Sequence, residues 1–563
     1  MADFSNKVIY QIYPKSFKDS NGDGIGDLRG VAEKLDYLKD LGVDYLWLTP
    51  FFVSPQRDNG YDVADYRNID PMFGTMEDLD NLIAEGEKRN IGLMFDMVFN
   101  HTSTSHEWFR RALAGEKKYQ DYYIFKEGAP DQPPTNWQSK FGGSAWEYVS
   151  SLGKWYLHLF DVTQADLNWK NPEVREELKE VIRFWKAKGV KGFRFDVVNL
   201  ISKPEIWEDD FEGDGRKFYT DGPYVHEYLK ELVRDTGIED YVTVGEMSST
   251  TLEHCIRYSG AEEKELSMCF NFHHLKVDYK DGNKWELMEP DYMELKVIFE
   301  KWQMGMQRGN AWNALFWCNH DQPRIVSRFG NEGEYWKESA KILAGMIHLM
   351  RGTPYIYQGE EIGMTNPHYT SIEQYADVES RNYYEILLNE GKTKEEALEI
   401  LAARSRDNSR TPMQWTDERY CGFSDTKPWI PVSDNFEKIN VKKQKQDRDS
   451  ILEFYKKLIM LRKEKEVIAR GNIEFMEVEN AGVLAYTRCL DKQKLLVCCN
   501  FRDVESQMEF TQEWKSGRKI LGNYEENHKN NYKVLTLRPY EIIVLEKGCL
   551  LYTSPSPRDR QKS

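Results

Sequence analysis

The sequence predicts an α/β protein: a (β/α)8 TIM barrel with a small domain inserted after strand three and a C-terminal antiparallel β domain. Three observations carry this. Apolar runs of strand length alternate with amphipathic helical patterns from residue 8 onward. Four runs end in an acid or a His/Asp pair: Gly92-Leu-Met-Phe-Asp-Met-Val-Phe-Asn-His101, Gly192-Phe-Arg-Phe-Asp-Val-Val198, Tyr241-Val-Thr-Val-Gly-Glu-Met247 and Ala314-Leu-Phe-Trp-Cys-Asn-His-Asp321. Polar groups at the carboxyl ends of several strands are the pattern of a barrel's functional face. With 563 residues, 40% hydrophobic and 13% aromatic, the chain can bury a large barrel and accessory domains besides.

In chain order, Val8-Ile-Tyr-Gln-Ile-Tyr-Pro14 reads as strand one. A helix with Leu28, Val31, Leu35, Leu38 and Leu41 on one face follows and stops at Gly42. Tyr45–Thr49 is strand two and the run to His101 is strand three. Residues 102–170, rich in Trp, Tyr, Gly and Pro, are too long for a loop and are read as an inserted domain B. A helix then starts at Asn171 as cap and Pro172 in its first turn, with Val174, Leu178, Val181, Ile182 and Trp185 inward. Gly192 opens strand four. Strands five to eight are placed at Tyr241–Met247, Glu265–Phe272, Asn313–His320 and Thr353–Gln358. The barrel thus occupies 1–101 and 171–471, with an irregular lid excursion at about 364–445 and a closing helix over Ser450–Lys465. Residues 472–548, with runs such as Leu495–Cys499, are the β domain.

Composition excludes several classes. A formal net charge of −17 leaves no basic field for nucleic acid or an acidic membrane. An anionic ligand would need a local cluster of cations working against that field. Eight cysteines lie scattered without CxxC or zinc spacing, which points to a reducing, cytoplasmic setting. No signal peptide and no membrane-spanning stretch are expected. The end, Cys549 to Ser563, resembles the in-frame translation of a transposase-type sequencing adapter and is expected to be an assembly artefact; without it the charge falls to −19.

The ordered motifs Asp96-x-x-x-Asn100-His101, Gly192-Phe-Arg-x-Asp196, Gly245-Glu246 and Asn319-His320-Asp321 resemble the active-site segments of the α-amylase family of glycoside hydrolases. Gln164-Ala-Asp-Leu-Asn168 resembles a segment of its oligo-1,6-glucosidase branch, with Ala165 where Pro is more usual. The resemblance covers essentially everything before residue 549. It implies Asp196 as nucleophile, Glu246 as general acid and base, and Asp321 as the third catalytic acid. Retaining glycosidases need two carboxyl groups about 5 Å apart across the anomeric carbon. Side chains two apart share a strand face, so Arg194 can hold Asp196 ionised. Crowding by other carboxylates would keep Glu246 protonated. His101, His320 and Gln164 are implied sugar contacts. Tyr61 can stack on a glucose face, and Asp62 can accept from hydroxyls at the closed end, with Arg410 as its partner by resemblance. That wall implies removal of single glucose units.

Val197 is similar to both the 1,6-type and the trehalose-phosphate-type members of the branch, and the stretch Glu265-Leu-Ser-Met-Cys-Phe-Asn-Phe-His-His-Leu-Lys276 resembles the latter. This implies trehalose 6-phosphate as small-molecule substrate, its phosphate met by His273, His274, Lys276 and Lys284. The alternative is an oligo-1,6-glucosidase or dextran glucosidase acting on isomaltose-type links. A non-catalytic relative is set aside because the three acids are present. The loop Asp19-Ser-Asn-Gly-Asp-Gly-Ile-Gly-Asp27 alternates oxygen donors with glycines, as Ca²⁺ requires. The resemblance implies one structural ion on Asp19, Asn21, Asp23, the Ile25 carbonyl and Asp27, no organic cofactor, and a monomer.

Overall fold

A computed structural model describes residues 4–509, 511–524 and 534–547. The short apolar runs become eight parallel strands: β1 (Ile9–Ile12), β2 (Tyr45–Leu48), β3 (Gly92–Met97), β4 (Gly192–Phe195), β5 (Val242–Glu246), β6 (Met268–Phe270), β7 (Ala314–Leu315) and β8 (Thr353–Tyr357). Their order is β6-β5-β4-β3-β2-β1-β8-β7. A parallel bridge between Cys269 and Asn313 joins the two ends and closes the ring. A sheet covered on both faces wants continuous apolar strands, and β4 and β8 are buried at every position. β7 is much shorter than the run Asn313–His320: the chain leaves the strand after Leu315, and further on Asn319 Oδ1 accepts from the Asp321 amide at 2.8 Å. That turn presents Asp321 to the barrel mouth rather than continuing the strand.

The helical face of Leu28, Val31, Leu35, Leu38 and Leu41 is carried by two short helices, Leu28–Glu33 and Leu35–Leu41, where the sequence pattern read as one. Lys34 breaks them at φ −101 and ψ 5, and Gly42 ends the second at φ 97, a conformation open to glycine without strain. The helix Pro172–Ala187 starts as read, with the Asn171 side chain accepting from the Glu173 amide. Residues 102–170 contain their own three-stranded antiparallel sheet, in which Lys154–Leu157 lies between Phe125–Glu127 and Trp146–Val149. A strand pair, His101–Ser103 with Gln164–Asp166, ties this segment to the end of β3. Its apolar cluster of Trp137, Trp146, Leu157 and Leu159 extends to Val197, Leu200 and Tyr219, so it is seated over the end of β4.

The excursion after β8 is not irregular throughout. It holds two helices, Val378–Asn389 and Lys394–Arg404. Thr393 and Glu396 form a reciprocal capping box at the start of the second, a signal present in the sequence. Tyr384, Leu387, Ile400 and Leu401 pack with Trp285 and Tyr369 to hold this lid together. Behind the barrel, β9 (Asn472–Met476), β10 (Leu484–Leu490), β11 (Gln493–Cys499), β12 (Arg518–Gly522) and β13 (Ile542–Lys547) form an antiparallel sheet in the order β9-β10-β11-β13-β12. The Tyr486 hydroxyl donates to Met346 O at 2.8 Å and fastens the sheet to the barrel. The adapter-like residues 549–563 lie outside the described residues.

Trp137 is wholly buried at the join between insert and barrel, and its Nε1 donates to Glu208 O at 2.9 Å. Trp137→Ala should cost about 3–5 kcal/mol, the range for emptying a buried indole site. Amide exchange should accelerate across residues 125–160 and stay slow in the C-terminal sheet. Uniform acceleration in both would show that the two regions unfold as one.

Candidate active site

Register across β3 and β4 sets Arg194 opposite Asp96. Both side chains point to the barrel interior and both are buried. Arg194 Nη1 donates to Asp96 Oδ1 and to Asp196 Oδ1, each at 2.6 Å, while Nη2 lies against the Glu246 carboxylate. The guanidinium also sits 5.1 Å over the Trp47 ring. Burial opposes its charge, but Asp96, Tyr61 and Asp196 outweigh that and raise its pKa. Asp96 Oδ2 in turn accepts from the Tyr61 hydroxyl at 2.9 Å and Trp47 Nε1 at 3.1 Å. One fully buried cation thus orients three carboxylates from three consecutive strands.

Asp196 is aimed by its backbone. Its amide donates to Met97 O, and the next residue, Val197, has φ 33 and ψ 40. A β-branched side chain rarely adopts that left-handed conformation, and strain of this kind persists only where surrounding packing enforces it. Val197 is buried in the Trp137 cluster, which supplies the enforcement. For Glu246 the neighbour is a cation, not the crowd of carboxylates read from the sequence.

Asp321 is held by His320 Nε2 at 3.1 Å, Arg410 Nη2 at 2.7 Å and Arg406 Nη1 at 3.4 Å. Burial alone would raise its pKa; His320, Arg406 and Arg410 outweigh it and keep the carboxyl well below its usual range. Asp196, Glu246 and Asp321 all line one cavity of about 200 Å³, with Tyr61 and His101 among its walls. His101 Nε2 is 3.0 Å from Tyr61 O, and burial lowers its pKa. His320 is wholly buried and spent on Asp321, on Gln11 at 2.8 Å and on stacking against the Tyr61 ring at 5.0 Å; it orients these groups and does not line the cavity. Gln164, equally buried, donates to Asp58 Oδ2 at 3.1 Å and to Tyr61 O at 3.2 Å.

The closed end is built from different residues than the sequence indicated. Asp62 does not meet Arg410. Its carboxylate accepts from Ser54 Oγ and the Arg57 and Asp58 amides, which closes the loop beneath the cavity. Arg410 is buried on Asp321, Asp377 and His320 O. The pair that reaches the cavity is Asp58 with Arg406, 3.1 Å apart, each four residues before the residue chosen from sequence. Four residues apart in Asp58-Asn-Gly-Tyr-Asp62 and in Arg406-Asp-Asn-Ser-Arg410, identical residue types gave pattern reasoning no means to choose. Lys140, Phe141, Phe160, Gln322 and Glu379 also line the cavity, and no local motif marks them.

The four cations expected at a phosphate are not equivalent. His274 is buried among Phe299, Phe316 and Trp317, and its Nε2 donates to Phe316 O at 2.8 Å. Burial lowers its pKa to about 4, so it is a neutral structural residue here and not an anion ligand. His273 packs at a tilt against Trp302, ring centres 4.6 Å apart, and is likewise pushed to about 4, first by burial and then by Lys276. Lys276 is exposed. Lys284 lines the cavity and is paired with Glu379 at 2.8 Å.

In the loop 19–27, Asp19 accepts from the Asn21, Gly22 and Gly24 amides and from Ser424 Oγ. Asp23 accepts from the Ile25 amide, and Asp27 caps the next helix through the Gly30 amide. Gly24, at φ 90, has Lys427 O where a Cβ would stand. The all-oxygen donors suit a hard cation. As folded they serve the loop's own amides, and among the described residues no three His, Cys, Asp or Glu side chains converge as metal ligands.

Carboxyl groups at the ends of β4, β5 and β7 around a monosaccharide-sized cavity in a (β/α)8 barrel define a glycoside hydrolase. Comparison with known proteins agrees: residues 11–471 match the alpha amylase catalytic domain, and 473–544 match the maltogenic amylase C-terminal domain. The chain belongs to the α-amylase family. It is 54% identical over 548 residues to the trehalose-6-phosphate hydrolase of Escherichia coli (strain K12), covering 96% of this chain and 98% of the relative. It is 46% identical to the oligo-1,6-glucosidase of Bacillus cereus, covering 96% and 99%. A crystal structure of Bacillus licheniformis trehalose-6-phosphate hydrolase superposes with a TM-score of 0.93 at 51% identity, covering 97% of this chain and 100% of that one.

Two substitutions separate the closed-end assignments. Asp58→Asn should lower kcat/KM on a nitrophenyl α-glucoside about a hundredfold, a loss well beyond its effect on folding, because it alters an acceptor facing the sugar while Arg406 keeps Asp377 as a buried partner. Asp62→Asn should cost about 1–3 kcal/mol of stability, since its amide group would face the Arg57 N–H. The reverse pattern would return the substrate role to Asp62.

Proposed function

We propose that this enzyme hydrolyses trehalose 6-phosphate to glucose and glucose 6-phosphate by double displacement with retention. One observation carries the reading: Asp196, Glu246 and Asp321 share a cavity whose walls also carry the Asp58–Arg406 pair and the lysines Lys140 and Lys284. The unphosphorylated glucose fits the closed end, where Tyr61 and His101 face it. Glu246 gives its proton to the glycosidic oxygen as Asp196 bonds to C1, and glucose 6-phosphate departs. Water then attacks C1, Glu246 takes its proton, and glucose is released from Asp196. Asp321 stays ionised and takes sugar hydroxyls as the ring flattens.

The similarity to trehalose-6-phosphate hydrolases at 54% and 51% identity supports this substrate. The relatives named oligo-1,6-glucosidases, at 46% and 45%, keep the second reading in view. Lysines on the cavity wall, Lys140 and Lys284, favour the first, since two neutral sugars have no use for them. Purified enzyme should show kcat/KM for trehalose 6-phosphate at least about a hundredfold above that for isomaltose. Isomaltose turned over equally well would replace the reading with the second. A phosphorylated sugar substrate and unpaired thiols suit a cytoplasmic enzyme. No helix among the described residues is long and apolar enough to cross a membrane.

We also propose that the loop 19–27 takes one Ca²⁺ through Asp19, Asn21, Asp23, the Ile25 carbonyl and Asp27. Its support is the run of hard oxygen donors on a turn tied to the excursion by Ser424 and Lys427. An ion bound at a hundred times its dissociation constant adds about 2.7 kcal/mol. Chelation should lower the unfolding temperature, calcium should restore it, and Asp23→Ala should abolish the response. An unfolding temperature indifferent to chelator would remove the ion from the account.

A further inference from the structure

Three cations line the catalytic cavity, and they differ in what already neutralises them. Arg406 is paired with Asp58 at 3.1 Å and with Asp377 at 2.5 Å. Lys284 is paired with Glu379 at 2.8 Å. Lys140, from the inserted domain, has no carboxylate within ion-pair distance among the described residues. Its ammonium donates to Ser248 Oγ at 3.1 Å, a neutral acceptor. The nearest acid that acts on it, Asp214, is held bidentately by Arg216 Nε at 2.9 Å to each oxygen. Burial lowers the pKa of Lys140 to about 8, and Arg216, Lys276 and Lys203 push the same way against Asp214. Lys203 is itself spent on Asp166 at 2.7 Å. In a chain of net charge −17 this is a local surplus of positive charge lacking its anion.

The surplus is placed on a particular side. Ser248 lies two residues beyond Glu246, the group that protonates the leaving oxygen, and is fixed by Asn199 on both its backbone N–H and C=O. In the proposed reading the other sugar lies against Asp58 and Arg406. An anionic substituent on the departing sugar therefore comes to Lys140. The Lys140 backbone is also held, its amide donating to Leu159 O at 2.9 Å.

We infer that Lys140 is the principal specificity-determining cation for the phosphate of the leaving sugar, with Arg216 and Lys276 shaping the field around it. This rests on the proposed trehalose 6-phosphate reading and assigns to the inserted domain a recognition role that the strand-six cluster was expected to fill. A phosphate held equally in ground and transition states acts on KM more than on kcat.

The test compares wild type, Lys140→Gln and Lys140→Arg on trehalose 6-phosphate and on nitrophenyl α-glucoside. Lys140→Gln should raise KM for trehalose 6-phosphate about 30-fold, as expected for one lost charge-assisted hydrogen bond. The ratio of kcat/KM between the two substrates should fall by a similar factor, and Lys140→Arg should recover most of it. Lys276→Gln should move the ratio less. Parallel losses on both substrates would make Lys140 a structural residue, and an unchanged ratio would remove it from recognition; either overturns the inference while the substrate reading stands. A wild-type enzyme with no preference for the phosphorylated sugar would bring down both.

Discussion

A single guanidinium holds the catalytic end of this barrel together. Arg194 has no exposed surface, yet it faces Asp96, Asp196 and Glu246, so one positive charge serves three potential negative ones. Removing one partner of a buried ionic group typically costs about 3–5 kcal/mol, because the remaining charge is left without solvent. The cost falls on geometry as well as stability. Asp96 anchors Arg194 from the neighbouring strand, and Trp47 and Tyr61 close around both, so the guanidinium has one place to be. The strain at Val197 is tolerated in that setting because the packing over it comes from a separate domain.

Around this centre the cavity wall has two unlike groups of charge. Toward Asp58, Arg406 and Asp377, acids and arginines alternate and neutralise one another, which suits hydroxyl groups and closes the site to longer chains. Toward Ser248, Lys140 and Arg216, positive charge outweighs negative. A neutral sugar and a phosphorylated one linked head to head would meet complementary surroundings at each end. In the proposed reading the barrel supplies the chemistry at the strand ends, and the inserted domain and the excursion after β8 supply selection.

Much of this was legible in the chain. Each acid that follows a buried apolar run, Asp196, Glu246 and Asp321, stands in the shared cavity, since strand ends dictate where such side chains emerge. Arg194 was legible through the two-residue period. What pattern could not resolve was choice between like residues inside one turn: Asp58 over Asp62, Arg406 over Arg410. Each pair shares residue type and spacing, and the turn that aims one inward is set by the loop's hydrogen bonds. His274 looked cationic beside His273 and Lys276, but the strand-six turn buries it under Phe316, where desolvation makes it neutral. Lys140 carried no signal at all, because the lack of a partner is a property of three dimensions. The lid helices were under-read although Thr393 and Glu396 advertised a cap.

The central claim is that Asp196 and Glu246, both set against Arg194, act as the close carboxyl pair of a retaining enzyme, for which a spacing of about 5 Å makes one carboxylate the nucleophile. The wider spacing of inverting enzymes would instead admit a water between them. The configuration of newly released glucose reports this directly. Proton NMR recorded on trehalose 6-phosphate within the first minutes, before mutarotation, should show α-glucose appearing ahead of β-glucose. First appearance of β-glucose would mean direct attack by water, and would contradict the account at its base.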